Sequence, residues 1–420
     1  MSSLAVTLAL TALAIISAAV LAIVTRAPAE VRDPARNPPR LEPGLGASFP
    51  EETVERHRAY RGPAYLHLLL STLLGIAVLA LLARGPLTAL VDALERAGWH
   101  WALQALAAAT LVTLVSAIAA TPLAFVRGFV MEHAWGLSTQ GAGSWFVDRA
   151  KGLGVAAVTG GIAALVFYAL LRWQPRTWWL WGWGAFTLLT LTFAFLWPIL
   201  IAPLFNRFVP LEDRTLAAQI EDVAARAGVG IDEVLVADAS RRSTLENAYV
   251  AGFGSTRRIV VYDTLLEGRP PEDTLFVVAH ELGHERDGHV LKNVALASAG
   301  LLVGFGALAL LAKNGSLWSW AGASGIGDVR ALPLLLLFTT TAGILLAPVQ
   351  SAVSRSFERS ADAAAVELTG DPVAGIRTFR RLAYLNLADL DPPKPLVWLL
   401  FSHPPIVERI ADLAENGRRP

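Results

Sequence analysis

"VVAHELGHERDGHVLKNVALASAGLLVGFGALALLA" (277–312) joins two unlike kinds of sequence. Its first half carries His280, Glu281, His284 and His289 within ten residues, and its second half runs from Val294 to Leu311 without a charge. A helix needs about 20 apolar residues to cross a bilayer, so the second half reads as a membrane span. The first half reads H-E-x-x-H. On a helix, positions i and i+4 share a face, so both imidazoles can reach one Zn²⁺, with Glu281 beside them as base for a water that the metal activates. The competing reading is a polar helix end at a membrane boundary. That role does not require two histidines one turn apart with a carboxylate between them. The stretch decides the fold, because it puts a metal helix directly before a membrane helix.

The composition agrees. Apolar residues make up 54% and charged residues 17% of the 420, with a mean hydropathy of +0.49, where a soluble protein carries about 25% charge. Seven stretches suit membrane spans: 4–24, 64–83, 102–125, 152–171, 177–204, 293–312 and 331–353. The first has no basic leader and no small-x-small cleavage site, so it is read as a retained anchor rather than a signal peptide. The third is rich in Ala, Thr and Gln and is expected to face other helices rather than lipid. Zero net charge gives no footprint for a nucleic-acid partner. The absence of cysteine excludes disulfides and thiolate metal sites. Lys occurs only at 151, 292, 313 and 394, which points to a GC-rich, bacterial genome.

Loop charge sets the expected orientation. Arg26, Arg32, Arg36, Arg40, Arg56, Arg58 and Arg61 crowd the 25–63 loop, and Arg127, Arg149 and Lys151 the 126–151 loop, while the alternate loops hold few basic residues. The N-terminus is therefore expected outside, in a plasma (inner) membrane, and the polar segments 205–289 and 354–420 in the cytoplasm. The expected organisation is 1–204 as membrane helices 1–5, 205–289 as the first part of a peptidase domain, 290–353 as helices 6–7, and 354–420 as its second part. The fold class is mainly α and multi-pass, with an α+β domain. In that domain Asp213 caps a helix that Gly228 ends, and strands fall on 233–238, 247–253 and in the β-rich run 257–266. "GRPPED" (268–273) starts the metal helix, and 354–369, 373–388 and 405–416 read as helical. Segment 26–62, rich in Pro and Arg, reads as partly irregular and is given no function.

A catalytic zinc usually has three protein ligands and one open position. The longer pattern H-E-x-x-H-x-x-G-x-x-H fails, because Asp287 and Val290 stand where its Gly and third His would fall. His289 is one residue out of step, which suits a supporting or structural place. "SRSFERSADAAAVELTG" (354–370) offers a distant carboxylate instead. Glu358 is a candidate ligand, and Asp362, one turn later, is a candidate acceptor for the free N–H of a ligating histidine. The plainer reading of Glu358 is a solvated face shared with Arg355 and Arg359. Glu367, near the helix end, is a weaker candidate. "STLENAYVAGFG" (243–254) reads as an edge strand, ordinary or open to an extended peptide, with Asn247, Ala248 and Tyr249 as candidate substrate contacts. "SHPPIVERI" (402–410) places His403 before a Pro-Pro turn and a helix holding Arg409. His403 is either an oxyanion donor or a helix-capping loop histidine, and the bare sequence favours the second.

These pieces, with "FVMEHAWGLSTQ" (129–140), "FVDRAKGL" (146–153) and "IAPLFNRFVPLED" (201–213) before them, occur in a specific order. In that order the chain resembles, over roughly 100–415, the type I CAAX prenyl endopeptidases in a bacterial version. These are integral-membrane, gluzincin-type zinc metallopeptidases. The pieces before the zinc motif separate it from the smaller HtpX-like membrane peptidases. The resemblance implies seven transmembrane helices around a water-filled intramembrane chamber, closed at its cytoplasmic end by a zincin-like domain. It implies one Zn²⁺ per chain on His280, His284 and Glu358, with Glu281 as base and His403 as transition-state stabiliser. It carries over Asn247 as a substrate contact, and Asp362 and Arg409 as supports of the site. The implied partners are the bilayer and a peptide or protein substrate, lipidated or membrane-inserted. Eukaryotic members cut prenylated C-a-a-X proteins. A bacterium generally lacks prenylation, so membrane-associated or misfolded peptides, in a quality-control role, are the alternative. A transporter or scaffold with a structural zinc would show four closed ligands and paired charges in its spans, and the sequence offers neither.

Overall fold

A computed structural model describes residues 3–24, 47–252, 254 and 257–416. Helices α1 (Ser3–Val24), α2 (Glu51–Ala83), α3 (Pro86–Arg96), α4 (Trp101–Phe125), α5 (Ala142–Trp173) and α6 (Trp178–Leu196) come first. A mixed segment follows: β1 (Phe208–Pro210), α7 (Arg214–Arg226), β2 (Glu233–Ala237), β3 (Ala248–Ala251), β4 (Arg258–Tyr262) and α8 (Pro271–Arg286). The chain ends in α9 (His289–Leu311), α10 (Leu332–Thr369), α11 (Pro372–Leu385), α12 (Lys394–Leu400) and α13 (Ile406–Asn416).

Among the described residues, six helical segments are long and apolar enough to cross a membrane: Glu51–Arg96, Trp101–Ala134, Ala142–Trp173, Trp178–Phe205, His289–Leu311 and Val329–Thr369. The remaining expected span, 4–24, falls on α1, whose fully described apolar run is Ala14–Ile23. α4 packs against α1, α2 and α5, and Ala105, Ala108, Ala109 and Val112 are buried there. Small side chains let membrane helices approach closely. A β-carbon on Gly161 of α5 would sit 3.1 Å from Leu106.

The connections sort to two ends of the bundle, as the alternation of loop charge anticipates. At one end Arg330 pairs with Asp92, Glu95 and Asp328, and Arg172 lies over Trp101 at 4.6 Å. At the other, Arg61 donates to the carbonyls of Leu387 and Asn386 at 2.6 and 3.0 Å, and Thr139 donates to Ser240 O at 2.7 Å. This second end carries the sheet. Segment 26–62, expected to be partly irregular, is helical in its later part. Residues 51–62 are the first turns of α2, where Glu51 and Glu52 suit a helix N-terminus. Residues 26–46 lie outside the described residues, as does Phe253 of the strand expected at 247–253. The β-rich reading of 257–266 holds only to Tyr262. Asp263–Leu266 forms a helical turn, with Asp263 Oδ1 accepting from the amides of Ser240 and Thr264.

The sheet order is β1-β2-β4-β3, with β2 and β4 parallel and the outer pairs antiparallel. Asp213 caps α7 by accepting from Thr215 N and Leu216 N. Past the end of α7, Gly228 turns the chain at φ +70. One hydrophobic core joins Ile220 and Val223 of α7, Ile259 and Val261 of β4, and Phe276 and Leu282 of α8 to Leu368, Phe379 and Leu413 from beyond the α9–α10 hairpin. The two polar segments thus bury a common interior.

α8 and α10 cross at Gly283. A β-carbon there would stand 2.8 Å from Cβ of Ala364 and 3.2 Å from Cα of Ala361, closer than packed atoms tolerate. Gly283→Ala is therefore expected to separate the helices at a cost of about 1–3 kcal/mol, read as a lower melting temperature in detergent. Gly143→Ala, whose added carbon meets nothing within 4 Å, is the matched control and is expected to leave stability unchanged.

Candidate metal centre

α8 and α10 bring their functional side chains into the crossing. His280 and His284 lie one turn apart on α8, as do Glu358 and Asp362 on α10. His280, His284 and Glu358 offer ligand atoms that all lie within 4.8 Å of one another. The Nε2 atoms of His280 and His284 are 3.2 Å apart. Glu358 Oε2 is 3.4 Å from His280 Nε2, and Glu358 Oε1 is 3.4 Å from His284 Nε2. Donors held about 2.0–2.1 Å from one tetrahedral ion lie about 3.3–3.4 Å apart. Glu358 meets each imidazole with a different oxygen, so both carboxylate oxygens face the histidine pair and the group can hold a metal ion.

A second observation fits the same group. Glu358 is 5% exposed, and its Oε2 is buried with no hydrogen-bond donor. Arg409 Nη2 stands 3.6 Å from that oxygen, too far to donate a hydrogen bond to it, and a buried carboxylate oxygen without a donor is costly unless a cation faces it closely. Two imidazole nitrogens and one carboxylate also form a donor set that suits zinc.

Supporting groups surround the triangle. Asp362 Oδ1 lies 2.8 Å from His280 Nδ1. Arg409 of α13 holds Asp362 with two donors, Nε to Oδ2 at 2.8 Å and Nη2 to Oδ1 at 2.5 Å. The same guanidinium lies over the Phe379 ring at 4.1 Å. His284 Nδ1 is 2.9 Å from His289 Nδ1. Burial pushes the Glu281 carboxyl above its usual range, the charges of His280 and His284 oppose that shift, and Glu358 adds to it. His403 Nε2 comes within 3.3 Å of Glu358 Oε1 while 60% of its side chain stays exposed. It therefore stands at the open mouth of the cluster.

The structure thus gathers His280, Glu281, His284, Glu358, Asp362, His403 and Arg409 in one place. Ala248 and Tyr249 lie on the neighbouring edge strand β3, and Asn247 stands immediately before it. β3 pairs with β4 on one side and packs against α8. Asn247 is exposed, whereas Ala248 is buried in the core. Glu367 points away, 69% exposed and paired with Arg286 at 3.0 Å.

Two supports had no signal in the sequence. Arg355, which local charge places on a solvated face, donates to the carbonyls of Val397 and Phe401 at 2.8 Å each. It thereby fixes the chain just before His403. Glu246, next to Asn247, is buried in ion pairs with Arg269 and Arg381 and anchors the start of β3. Both contacts join residues far apart in the chain, so spacing cannot reveal them.

Comparison with known proteins places the chain among relatives. Residues 210–416 match the model for peptidase family M48, and residues 29–207 match that for the CAAX prenyl protease N-terminal region of five membrane helices. An uncharacterized metalloprotease of Bacillus subtilis, YhfN, is 33% identical over 323 residues, 75% of each chain. A CAAX prenyl protease 1 homolog of Oryza sativa is 31% identical over 313 residues, 72% of each. The crystal structure of S. mikatae Ste24p superposes with a TM-score of 0.76, covering 97% of this chain and 99% of the other at 24% identity. This shows a shared fold.

The Arg409–Asp362 pair is buried, with 10% and 11% of the two side chains exposed. Arg409→Leu strands Asp362 and is expected to cost about 3–5 kcal/mol. Arg359→Leu removes an exposed 3.8 Å pair with Glu408 and is expected to cost less than about 1 kcal/mol. Thermal unfolding of the two variants in the same detergent checks the contrast.

Proposed function

The chain belongs to peptidase family M48 as a membrane zinc metalloprotease, and we propose that His280, His284 and Glu358 hold its zinc, with Glu281 as the catalytic base. The observation that carries this reading is the convergence of two imidazole nitrogens 3.2 Å apart with the two oxygens of Glu358, one 3.4 Å from each nitrogen. A zinc ion in such a site supplies Lewis acidity, polarising a carbonyl and bringing the pKa of its water to about 7. Glu281 takes the proton of the attacking water and delivers it to the leaving amine. Its burial-raised proton affinity suits that shuttle. His403 donates to the oxyanion from the open side, steadied by Ser402 Oγ at 2.8 Å from its Nδ1. Asp362 accepts the Nδ1–H of His280 and leaves Nε2 free to ligate, and Arg409 holds Asp362 in place.

Substrate binds along β3. The free edge of that strand accepts an extended peptide as an added strand, giving affinity through backbone hydrogen bonds. Asn247 contacts the peptide at the strand's start, followed by Ala248 through its backbone and Tyr249. The substrate is a peptide presented from the bilayer, membrane-associated or of C-a-a-X type. The Oryza relative's name, CAAX prenyl protease 1 homolog, supports the second class for this chain. Loop charge supports a plasma-membrane protein with its N-terminus outside and the peptidase domain, 205–289 with 354–420, in the cytoplasm.

Glu281→Gln is expected to lower kcat by about 10²–10⁴-fold with zinc still bound, and His403→Ala by about 10²–10³-fold. Both are read on a fluorogenic peptide in detergent or liposomes. A chelator is expected to abolish cleavage and added zinc to restore it. Full activity in Glu281→Gln, or in the chelated protein, would sink the assignment. Preference for a farnesylated C-a-a-X peptide over its unprenylated form identifies the substrate class. Faster cleavage of unfolded membrane proteins would move the role to quality control.

A further inference from the structure

His284 turns two nitrogens to two different tasks. Nε2 faces the other candidate ligands, while Nδ1 meets Nδ1 of His289 at 2.9 Å. Two ring nitrogens this close share one proton, so one donates and the other accepts. The far end of the chain of contacts favours one arrangement. Ser360 Oγ lies 3.2 Å from His289 Nε2 and 3.0 Å from the carbonyl oxygen of Phe357. A carbonyl can only accept, and the hydroxyl of Ser360 is placed to give it its single proton. Ser360 Oγ must then accept from His289 Nε2–H. A neutral His289 protonated at Nε2 has a bare Nδ1, which accepts from His284 Nδ1–H. His284 Nε2 is left with its lone pair aimed into the ligand triangle.

We propose that His289 is a positioning residue that, through Ser360 and the Phe357 carbonyl, locks His284 in the tautomer and ring orientation a metal ligand needs. The proposal rests on the ligand reading above. His289 is 4% exposed, and its ring stacks on Phe357 at 4.1 Å and 15°, so water does not compete and the ring plane is fixed. The charged groups facing this pair are few. Asp287 Oδ2 is 4.0 Å from His289 Nε2, and Lys292 approaches Phe357 at 5.9 Å. The two histidines therefore have unlike supports, a carboxylate on His280 and a neutral imidazole on His284. A second outer carboxylate would add charge to a pocket that already buries Glu358 and Asp362 against the one guanidinium of Arg409.

The test is zinc affinity, measured by chelator competition on the full-length protein in detergent, with the melting temperature of the metal-free protein beside it. His289→Leu keeps the shape and removes the acceptor, and is expected to weaken zinc binding about 10–100-fold. His289→Asn returns an acceptor oxygen near the place of Nδ1 and is expected to restore affinity to within a few-fold of the parent. Ser360→Ala releases the far end and is expected to give an intermediate loss. Parent affinity in His289→Leu, or equal weakness in the Asn and Leu variants, would overturn the relay. If the Leu variant does not fold, Asn tighter than Ser360→Ala supports the relay and the reverse order overturns it. His284→Ala separates the two layers. Loss of zinc there with none in His289→Leu defeats the relay alone, and parent affinity in His284→Ala defeats the ligand reading and the relay together.

Discussion

At Gly283 the backbones of α8 and α10 approach until a methyl group no longer fits between them. The chemistry depends on that approach. His280 and His284 stand on one helix, and Glu358 and Asp362 on the other, separated in sequence by a membrane hairpin. A carboxylate reaches two imidazoles at 3.4 Å only because no side chain holds the helices apart. The glycine inside H-E-L-G-H is thus a packing residue. The common core of α7, β4, α8 and α11 supplies the apolar burial that keeps the crossing closed.

Charge is the second constraint. Glu281, Glu358 and Asp362 lie close together, with Arg409 as the fixed cation among them. Buried carboxylates need partners, and one guanidinium does not cover three acids. A divalent cation held by His280, His284 and Glu358 would complete the balance. The groups are graded outward: Glu358 at the centre, Asp362 clamped by Arg409 on one side, His289 on the other, and His403 at the solvent edge.

Much of this was legible in the sequence because it is local. Period 3.6 places His280 with His284 and Glu358 with Asp362, and apolar length marks six spans that the structure contains as helices. What stayed hidden is long-range. Segment 51–62 belongs to a stretch whose Pro and Arg content reads as partly irregular, yet it is helical, with His57 and Arg61 bound to carbonyls of the 386–388 turn. Leu387 adopts φ +44 there. The β-rich run 257–266 breaks at Asp263 because that side chain is engaged by Ser240, which the strand pattern cannot register. Arg355 looks solvated in sequence, and only the fold brings the Val397 and Phe401 carbonyls to it.

α10 is a single helix of 38 residues, about 57 Å long at 1.5 Å per residue. Its first half is apolar enough to cross a bilayer, and its second half carries Glu358, Asp362 and Ser360. Pro348 is its only proline beyond the first turn, ten residues before the carboxylate. A rod that is both lipid-facing and chemical makes hydrocarbon thickness a variable of the reaction, because a helix answers hydrophobic mismatch by tilting. A few degrees of tilt at the apolar end would displace Glu358 at the other, so lipid thickness would bear on how α10 presents that carboxylate to α8.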